Sequence, residues 1–352
     1  MNKNITIKDI AKLASVSVST VSRVINHDPS VADATQKKVS KVINEYHYQP
    51  SMIARGMVSK KTNMIAVIVS DITNPYFNQF VAILEKRLLL AGYTLSLFDS
   101  QTALTTDKDS VLAIETKIVN QIRENHFDAT IILGGLIDRL NIPQDYLKTL
   151  ENLISEMPTI IVGRANITEL PNSENLTYLN RDQIIPTKLL VNYMLKQKHH
   201  QFIFIGGNAS AWITNDRTNT FKEVLLENNV PISDDYIFNN NFYFQDGYNA
   251  AKHVIQSQLS FDAVVAINDR VAMGFLRGIK DLTNLDFSEF ALGSCEFFEE
   301  NAFSIPRITS VDHNIEALSN SAAQLLIATL EKQSLQTSLP DITPKLILGE
   351  SC

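Results

Sequence analysis

Apolar side chains recur every three or four positions in short runs near the start of the chain, which is the spacing of one buried helix face. Thr6 and Asp9 form a capping box before the first run, Ser17 is placed to cap the second, and Asp33 begins the third. Three short helices, the first two separated by a tight break, predict a helix-turn-helix packed on a third helix. The three apolar stripes are Ile7, Ile10, Ala11 and Ala14; then Val21, Val24 and Ile25; then Val39, Val42, Ile43 and Tyr46.

From Lys61 onward the pattern changes to short continuous apolar runs separated by helical patterns such as Phe77–Leu90 and Ala272–Lys280. Buried strands that alternate with helices predict doubly wound parallel sheets, which bind ligands beyond the carboxyl ends of their strands. Polar residues do follow several of these runs, for example Asp71 and Asn74. The predicted strands are 64–69, 94–98, 130–133, 159–162, 202–205 and 263–267.

Charge is distributed unevenly between these two regions. The whole chain has a net charge of -7, yet residues 1–61 contain ten Lys or Arg and only four Asp or Glu. A small basic head on an acidic body indicates a polyanionic partner for the head. The alternative is a solvated surface with no polyanionic partner.

The stretch SVSVSTVSRVIN, residues 15–26, supplies the surface that such a partner would meet. Small hydroxyl side chains allow the start of the second helix to approach phosphates closely. Arg23 lies one turn further on, where a bidentate contact to guanine is geometrically natural. A three-helix bundle with a surface arginine is the competing interpretation, and the basic charge and the exposed hydroxyl face argue against it.

Composition and motifs narrow the remaining classes of protein. Two cysteines cannot build a disulfide framework, no apolar run reaches the length of a membrane span, and the first residues do not resemble a signal peptide, so we expect a cytoplasmic protein. Phosphate-loop, dinucleotide-binding, nucleophile-elbow and zinc-protease motifs are missing from the sequence. The pair His199-His200 lacks further ligands at suitable spacing. We therefore expect neither an enzyme, nor a metal, nor a cofactor.

Two segments of the head, TIKDIAKLASVSVSTVSRVIN and VADATQKKVSKVINEYHYQPSMIAR, resemble the lactose/galactose repressor family (LacI/GalR). The resemblance continues through NPYF (74–77), IND (267–269) and PKLILGES (344–351). It implies an all-α DNA-binding domain at 1–49, a hinge helix and linker at 50–61, and an effector-binding and dimerisation domain at 62–352. The last domain would be an α/β body of the periplasmic-binding-protein type, with one lobe at about 62–180 and 296–322 and the other at about 181–295 and 323–352.

The resemblance also implies which residues meet DNA. Val18, Ser19 and Arg23 would read bases, and Met57 would stand where the family wedges a leucine into the minor groove. The full implied set is Thr6, Ser17, Val18, Ser19, Thr20, Ser22, Arg23, Asn26, Tyr48, Ser51, Ala54 and Met57.

For the effector, the resemblance implies polar clamps and a stacking aromatic ring between the lobes. Cys295 stands where the family usually has an aspartate. With an acid missing and two arginines retained, we expect a phosphorylated or acidic sugar rather than a neutral one. Asp99 is expected here from its position just after a predicted strand, and the complete set of expected effector-binding residues is Asn74, Tyr76, Phe77, Asp99, Arg164, Arg217, Phe242, Asp269 and Cys295.

The sequence therefore predicts a homodimeric repressor of a carbohydrate-utilisation operon. It would bind a pseudo-palindromic DNA operator and be released by a sugar or sugar phosphate in the cleft; no leucine heptad of the family's tetramers follows Ser351. The alternative is a regulator that needs a corepressor or a protein partner to bind DNA, and an added effector distinguishes the two by the sign of its effect. A third class, a solute-binding or enzymatic α/β protein with an unrelated head, lacks the export or catalytic signatures that it would need.

Overall fold

A computed structural model describes residues 5–25, 28, 30–46, 48, 61–103, 107–335 and 338–352. The chain divides into two compact units. One unit comprises Met1–Met64 with Asn125–Asp128, and the other comprises Ile65–Glu124 with Ala129–Cys352. Among the described residues, no helix combines the length and the apolar character needed to cross a bilayer.

The head contains the predicted helix-turn-helix and third helix: α1 (Ile7–Leu13), α2 (Val18–Ile25) and α3 (Asp33–Glu45). Thr6 and Asp9 form the expected capping box, and Ser17 Oγ accepts a hydrogen bond from Thr20 N at 3.1 Å. Most stripe residues meet in one small core made of Ile10, Ala11, Ala14, Val21, Val24 and Val39, whereas the predicted stripe residue Tyr46 is 42% exposed and lies outside it. Packing on this core holds the hydroxyl-rich α2 helical although its residues are mediocre helix formers.

The body begins with a sheet in the order β2-β1-β3-β4-β5. The β1–β3, β3–β4 and β4–β5 pairs of this sheet are parallel. The central strands β1 and β3 and the neighbouring β4 carry continuous apolar runs because they are buried, whereas the edge strands β2 and β5 are only partly buried. The elements are β1 (Met64–Val69), α4 (Pro75–Leu90), β2 (Thr94–Asp99), α5 (Lys108–Glu124), β3 (Ala129–Leu133), a 3₁₀ helix (Gly135–Asp138), α6 (Gln144–Glu156), β4 (Thr159–Gly163) and β5 (Leu176–Asn180).

A second sheet has the order β11-β10-β9-β8-β6-β7 and is parallel apart from the antiparallel β10–β11 pair. Its elements are α7 (Ile184–Lys196), β6 (Phe202–Ile205), α8 (Trp212–Glu227), β7 (Ile237–Phe238), α9 (Phe244–Gln256), β8 (Ala263–Ala266), α10 (Asp269–Leu282), β9 (Ala291–Ser294), β10 (Thr309–Asp312) and β11 (Lys345–Ile347).

The helix α11 (Ile315–Glu331) corrects the predicted lobe boundaries. It packs its apolar face, including Leu318, Ala322 and Leu326, into the core of the first sheet with α4. Conversely, β10 lies in the second sheet, where Thr309 faces Gly293 and Ser310 faces Ile347. The predicted boundary at 322/323 is therefore wrong, because β10 belongs to the second lobe and the whole of α11 packs on the first, whereas β11 lies in the second lobe as predicted.

Candidate DNA-binding surface and ligand cleft

The exposed face of α2 carries most of the residues expected to read DNA. Ser17, Val18, Ser19 and Arg23 are exposed, and Thr20 is half-buried. The Arg23 side chain is 64% exposed and lies 3.9 Å from Asp28, so the contact leaves it able to extend. A flat patch of hydroxyls with one long cation is chemically suited to a phosphate backbone and a base edge.

Other members of that predicted set have structural roles in the head. Ser22 is only 6% exposed, because it lies on the buried side of α2. The prediction that it contacts DNA is therefore wrong. The Thr6 hydroxyl donates to Asp9 Oδ2 at 2.7 Å, and Tyr48 packs against the core. The remaining predicted positions, Asn26, Ser51, Ala54 and Met57, lie outside the described residues.

A cleft opens in the body at the carboxyl ends of strands from both sheets. Four of the predicted residues line it: Asn74, Tyr76, Phe77 and Phe242. Asn74 also caps α4, accepting a hydrogen bond from Tyr76 N at 3.1 Å, and this cap fixes the start of the helix that presents both aromatic rings. The other aromatic walls come from Trp212 and Tyr243.

Arg217 does not reach the cleft, contrary to prediction. It is fully buried on α8, with Nε and Nη2 donating to Gln183 Oε1 at 3.0 and 2.7 Å and Nη2 lying 3.3 Å from Glu296 Oε2. Glu296 also pairs with Arg181 Nη2 at 2.5 Å. Burial and the two guanidinium charges hold the pKa of nearby His313 well below its usual value, so His313 is neutral.

The predictions for Asp269 and Cys295 are also wrong, because both side chains are fully buried. Asp269 is turned into the second lobe, where its Oδ2 accepts from Phe298 N at 2.8 Å, and burial raises its pKa to about 7. Cys295 packs in the apolar core around the second sheet. The expected loss of an acid does not occur, since Glu296, one residue further on, supplies a carboxylate to the cleft wall.

Asp99 and Arg164 lie outside the cleft lining as well. Asp99 accepts a hydrogen bond from Gln101 N at 3.2 Å at the end of β2. Arg164 donates to the carbonyls of Ile137 and Arg139 at 3.1 and 3.4 Å, and its guanidinium carbon lies 5.6 Å from the centroid of the Trp212 ring. Neither of the two predicted anion-binding arginines therefore lines the cleft.

Asp138 and Arg181 line the cleft and were not predicted. Asp138 Oδ1 and Arg181 Nε are buried without a hydrogen-bond partner. Burial raises the pKa of Asp138 to about 7, against the opposing charges of Arg164 and Arg181. The Arg181 guanidinium also lies 4.0 Å from the Tyr76 ring centroid. One acceptor and one donor thus face a cleft walled by aromatic rings.

Several hydrogen bonds join the two lobes around this cleft. The Tyr243 hydroxyl donates to Asp71 Oδ2 at 2.7 Å, and Arg270 Nη1 donates to Thr73 O at 2.9 Å. On the opposite rim, Leu140 N donates to Ser210 O at 3.0 Å, and Arg139 pairs with Ala211 as an isolated antiparallel bridge. The lobes are therefore closed on each other by contacts that a hinge motion would break.

Comparison with known proteins finds a matching family for the head and another for the body. Residues 6–51 match the family of bacterial regulatory proteins of the lacI type, and residues 191–352 match a periplasmic binding protein-like domain. The chain belongs to the lacI family of bacterial regulatory proteins. It is a DNA-binding transcription regulator and not an enzyme. Within the part of the chain that the structure describes, no three metal-ligating side chains come together.

Relatives of this lacI-family protein align over most of their length. Catabolite control protein A of Staphylococcus xylosus is 29% identical over 79% of this chain and 78% of its own. The ribose operon repressor of Halalkalibacterium halodurans is 26% identical over 98% and 96%. The lac repressor dimer bound to operator and the anti-inducer ONPF has a TM-score of 0.80 at 19% identity, covering 99% of each chain, and supports the fold.

The raised pKa of Asp138 predicts how stability depends on pH. Folding favours the neutral carboxyl, so its contribution to stability is fully present below the ordinary aspartate value of 3.8 and is lost as pH rises through about 7. We expect Asp138→Asn, which cannot ionise, to gain stability relative to the wild type as pH rises from about 4 to about 7. Urea unfolding of both proteins across this range measures the difference in their free energies of unfolding. Asp269, whose pKa is also raised, is present in both proteins and so does not contribute to the difference. A difference that stays constant with pH would contradict the raised pKa of Asp138.

Proposed function

We propose that the chain is a cytoplasmic homodimeric repressor of carbohydrate genes, whose two heads read a pseudo-palindromic operator and whose cleft binds a neutral sugar that releases DNA. The domains would be the predicted 1–49, 50–61 and 62–352, and the DNA contacts would come from Val18, Ser19 and Arg23. The observation that carries the effector assignment is the pair of unpartnered atoms in the cleft, Asp138 Oδ1 and Arg181 Nε. A hydroxyl group can donate to the first and accept from the second.

Charge in the cleft favours a neutral ligand over a phosphorylated one. Arg181 is already paired with Glu296, Arg139 bonds Ser210, and Asp138 adds a negative charge when ionised. A phosphate would need a free cationic fork, and none of the described arginines of the cleft supplies one. The expectation of an acidic or phosphorylated sugar rested on free Arg164 and Arg217, and it is replaced by this proposal.

Aromatic rings give the same cleft its apolar surface. Phe242 and Trp212 line it together with Tyr76, and such rings can stack on the C–H face of a pyranose or furanose. Sugars are also named for two similar proteins, the ribose operon repressor and the CelR–cellobiose complex, the latter with a TM-score of 0.67 at 20% identity. A purine is the competing planar ligand, since another relative, from Vibrio vulnificus, is the repressor PurR, 24% identical over 98% of both chains.

Operator binding with and without effector tests the proposal. A duplex selected from random sequence by the full-length protein is labelled, and binding is followed by fluorescence anisotropy while ribose, glucose, cellobiose, glucose 6-phosphate or hypoxanthine is added. We expect a neutral sugar to weaken DNA binding and to bind Asp138→Asn more weakly, whereas Asp145→Asn, at an exposed acid of α6, serves as the control. Stronger DNA binding on addition of ligand would instead identify a corepressor, and a response to glucose 6-phosphate or hypoxanthine alone would overturn the neutral-sugar assignment.

A further inference from the structure

A buried acid behind the cleft, Glu115, has no cationic partner among the described ion pairs. It lies on α5, is 1% exposed, and its carboxylate accepts two hydrogen bonds from Leu136 N, at 3.0 and 3.2 Å. Thr102 Oγ1 donates to the same carboxylate at 2.7 Å and Ser100 Oγ at 3.4 Å. One side chain therefore joins the loop after β2 to the 3₁₀ helix after β3.

Both segments that Glu115 joins form the first-lobe wall of the cleft. Thr102 and Gly135 line it, and the 3₁₀ helix ends at the lining residue Asp138. Gly135 has φ +86°, and a Cβ at this position would lie 2.2 Å from Glu115 Oε1. The glycine therefore provides the space that the carboxylate occupies, and the two residues act as a fitted pair.

The same 3₁₀ helix leads directly into the rim that closes the cleft. Arg139 and Leu140 follow Asp138 and make the bridge to Ala211 and Ser210 of the second lobe. Trp212, the next residue after Ala211, is a wall of the cleft and the single tryptophan of the sequence. A shift of the 3₁₀ helix would thus move Asp138 and break the interlobe bridge together.

We propose that Glu115 is a positioning residue for effector binding, holding the 3₁₀ helix so that Asp138 faces the cleft and residues 139–140 can bridge the lobes. This role rests on the proposed function of the cleft. A buried carboxylate without a cation is costly, and burial raises its pKa. A glutamine would fill the same space without a charge, but its amide NH₂ would meet the donors of Leu136 and Thr102.

Hydrogen exchange in full-length Glu115→Gln tests the proposal without effector or DNA. Leaving the buried N–H of Leu136 without its acceptor should raise amide exchange in 134–140 about tenfold. Exchange in β1, β3 and β4 should not change, because their amides lie in the sheet ladder. Acrylamide quenching of Trp212 should increase in the same variant, as the rim beside it opens.

Two further variants make the result decisive. Glu124→Gln, an exposed acid on the same helix, should behave as the wild type. Thr102→Val removes one donor to Glu115 at nearly constant volume, so it should raise exchange at 134–140 to a smaller extent and stands in if Glu115→Gln fails to fold. Unchanged exchange at 134–140, or acceleration spread evenly over β1, β3 and β4, would overturn the positioning role. Because the effector titration is a separate measurement, failure of the positioning role and failure of the proposed function would appear in different experiments.

Discussion

Replacing Arg23 by alanine is expected to weaken operator binding by about 1–3 kcal/mol per half-site, and so by up to twice that for a dimer. Arg23 is the exposed cation of α2, one turn beyond the hydroxyl-rich start of that helix. A bidentate arginine distinguishes guanine from other bases, so its loss should also relax sequence preference at one base pair of each half-site. Anisotropy titrations against a set of single-substitution operators measure both effects.

A lysine on the third helix provides the comparison for Arg23. Lys41 is exposed on α3, and Lys41→Ala should reduce affinity by about the same factor for every duplex and lower the salt dependence. If Arg23→Ala gave this uniform loss as well, Arg23 would be a phosphate contact and its assignment as a base-reading residue would fail.

Replacing Glu296 by glutamine is expected to reduce the free energy of unfolding of the body by about 3–5 kcal/mol. The carboxylate lies between Arg181 and Arg217, which are 5% and 0% exposed. Glutamine keeps the shape but removes the charge, so two guanidinium groups would remain buried without their counter-ion. Urea unfolding followed by circular dichroism measures the change.

An exposed ion pair of equal length serves as the control. Glu350 Oε1 lies 3.3 Å from Arg307 Nη2, the same distance as Glu296 from Arg217, but both side chains are more than half exposed. Glu350→Gln should therefore shift the urea midpoint only slightly, since water screens such pairs. Equal shifts for the two variants would show that burial does not determine the contribution of Glu296.

The sequence predicted the fold well where apolar runs were long. The six runs predicted as strands all form strands whose ends lie within one residue of the prediction; five of them are buried along all or nearly all of their length, and the sixth, β2, is a partly exposed strand with an apolar run. β5 was missed since LTYLN contains only three apolar residues, interrupted by Thr177, and β7 has just two residues. β10 and β11 are short and gain their place from pairing with each other, which no local pattern encodes.

For the site, the sequence located the cleft better than it located its side chains. Tyr76, Phe77 and Phe242 were found because aromatic rings just beyond strands or at a family position tend to face ligand. Arg217 and Asp269 were predicted to face the cleft, but their side chains point into the protein interior. Their orientation depends on contacts with Glu296 and Ser310, which are far away in sequence. Arg181 was missed because it follows β5, a strand with no strong signal.

Near its end the chain crosses between the lobes, since β10 lies in the second sheet and the following α11 packs on the first. This order has a consequence for folding during synthesis on the ribosome. The head has a core of its own within residues 5–48, whereas α4 waits for α11 before Phe80, Leu84 and Leu88 have their full cover. The second sheet likewise waits for β11 and for Ser351, whose hydroxyl accepts from Thr309 N at 3.0 Å. Neither lobe can finish before nearly all of the other has been made, so the nascent body exposes apolar helix faces throughout its translation and should bind chaperones that recognise them.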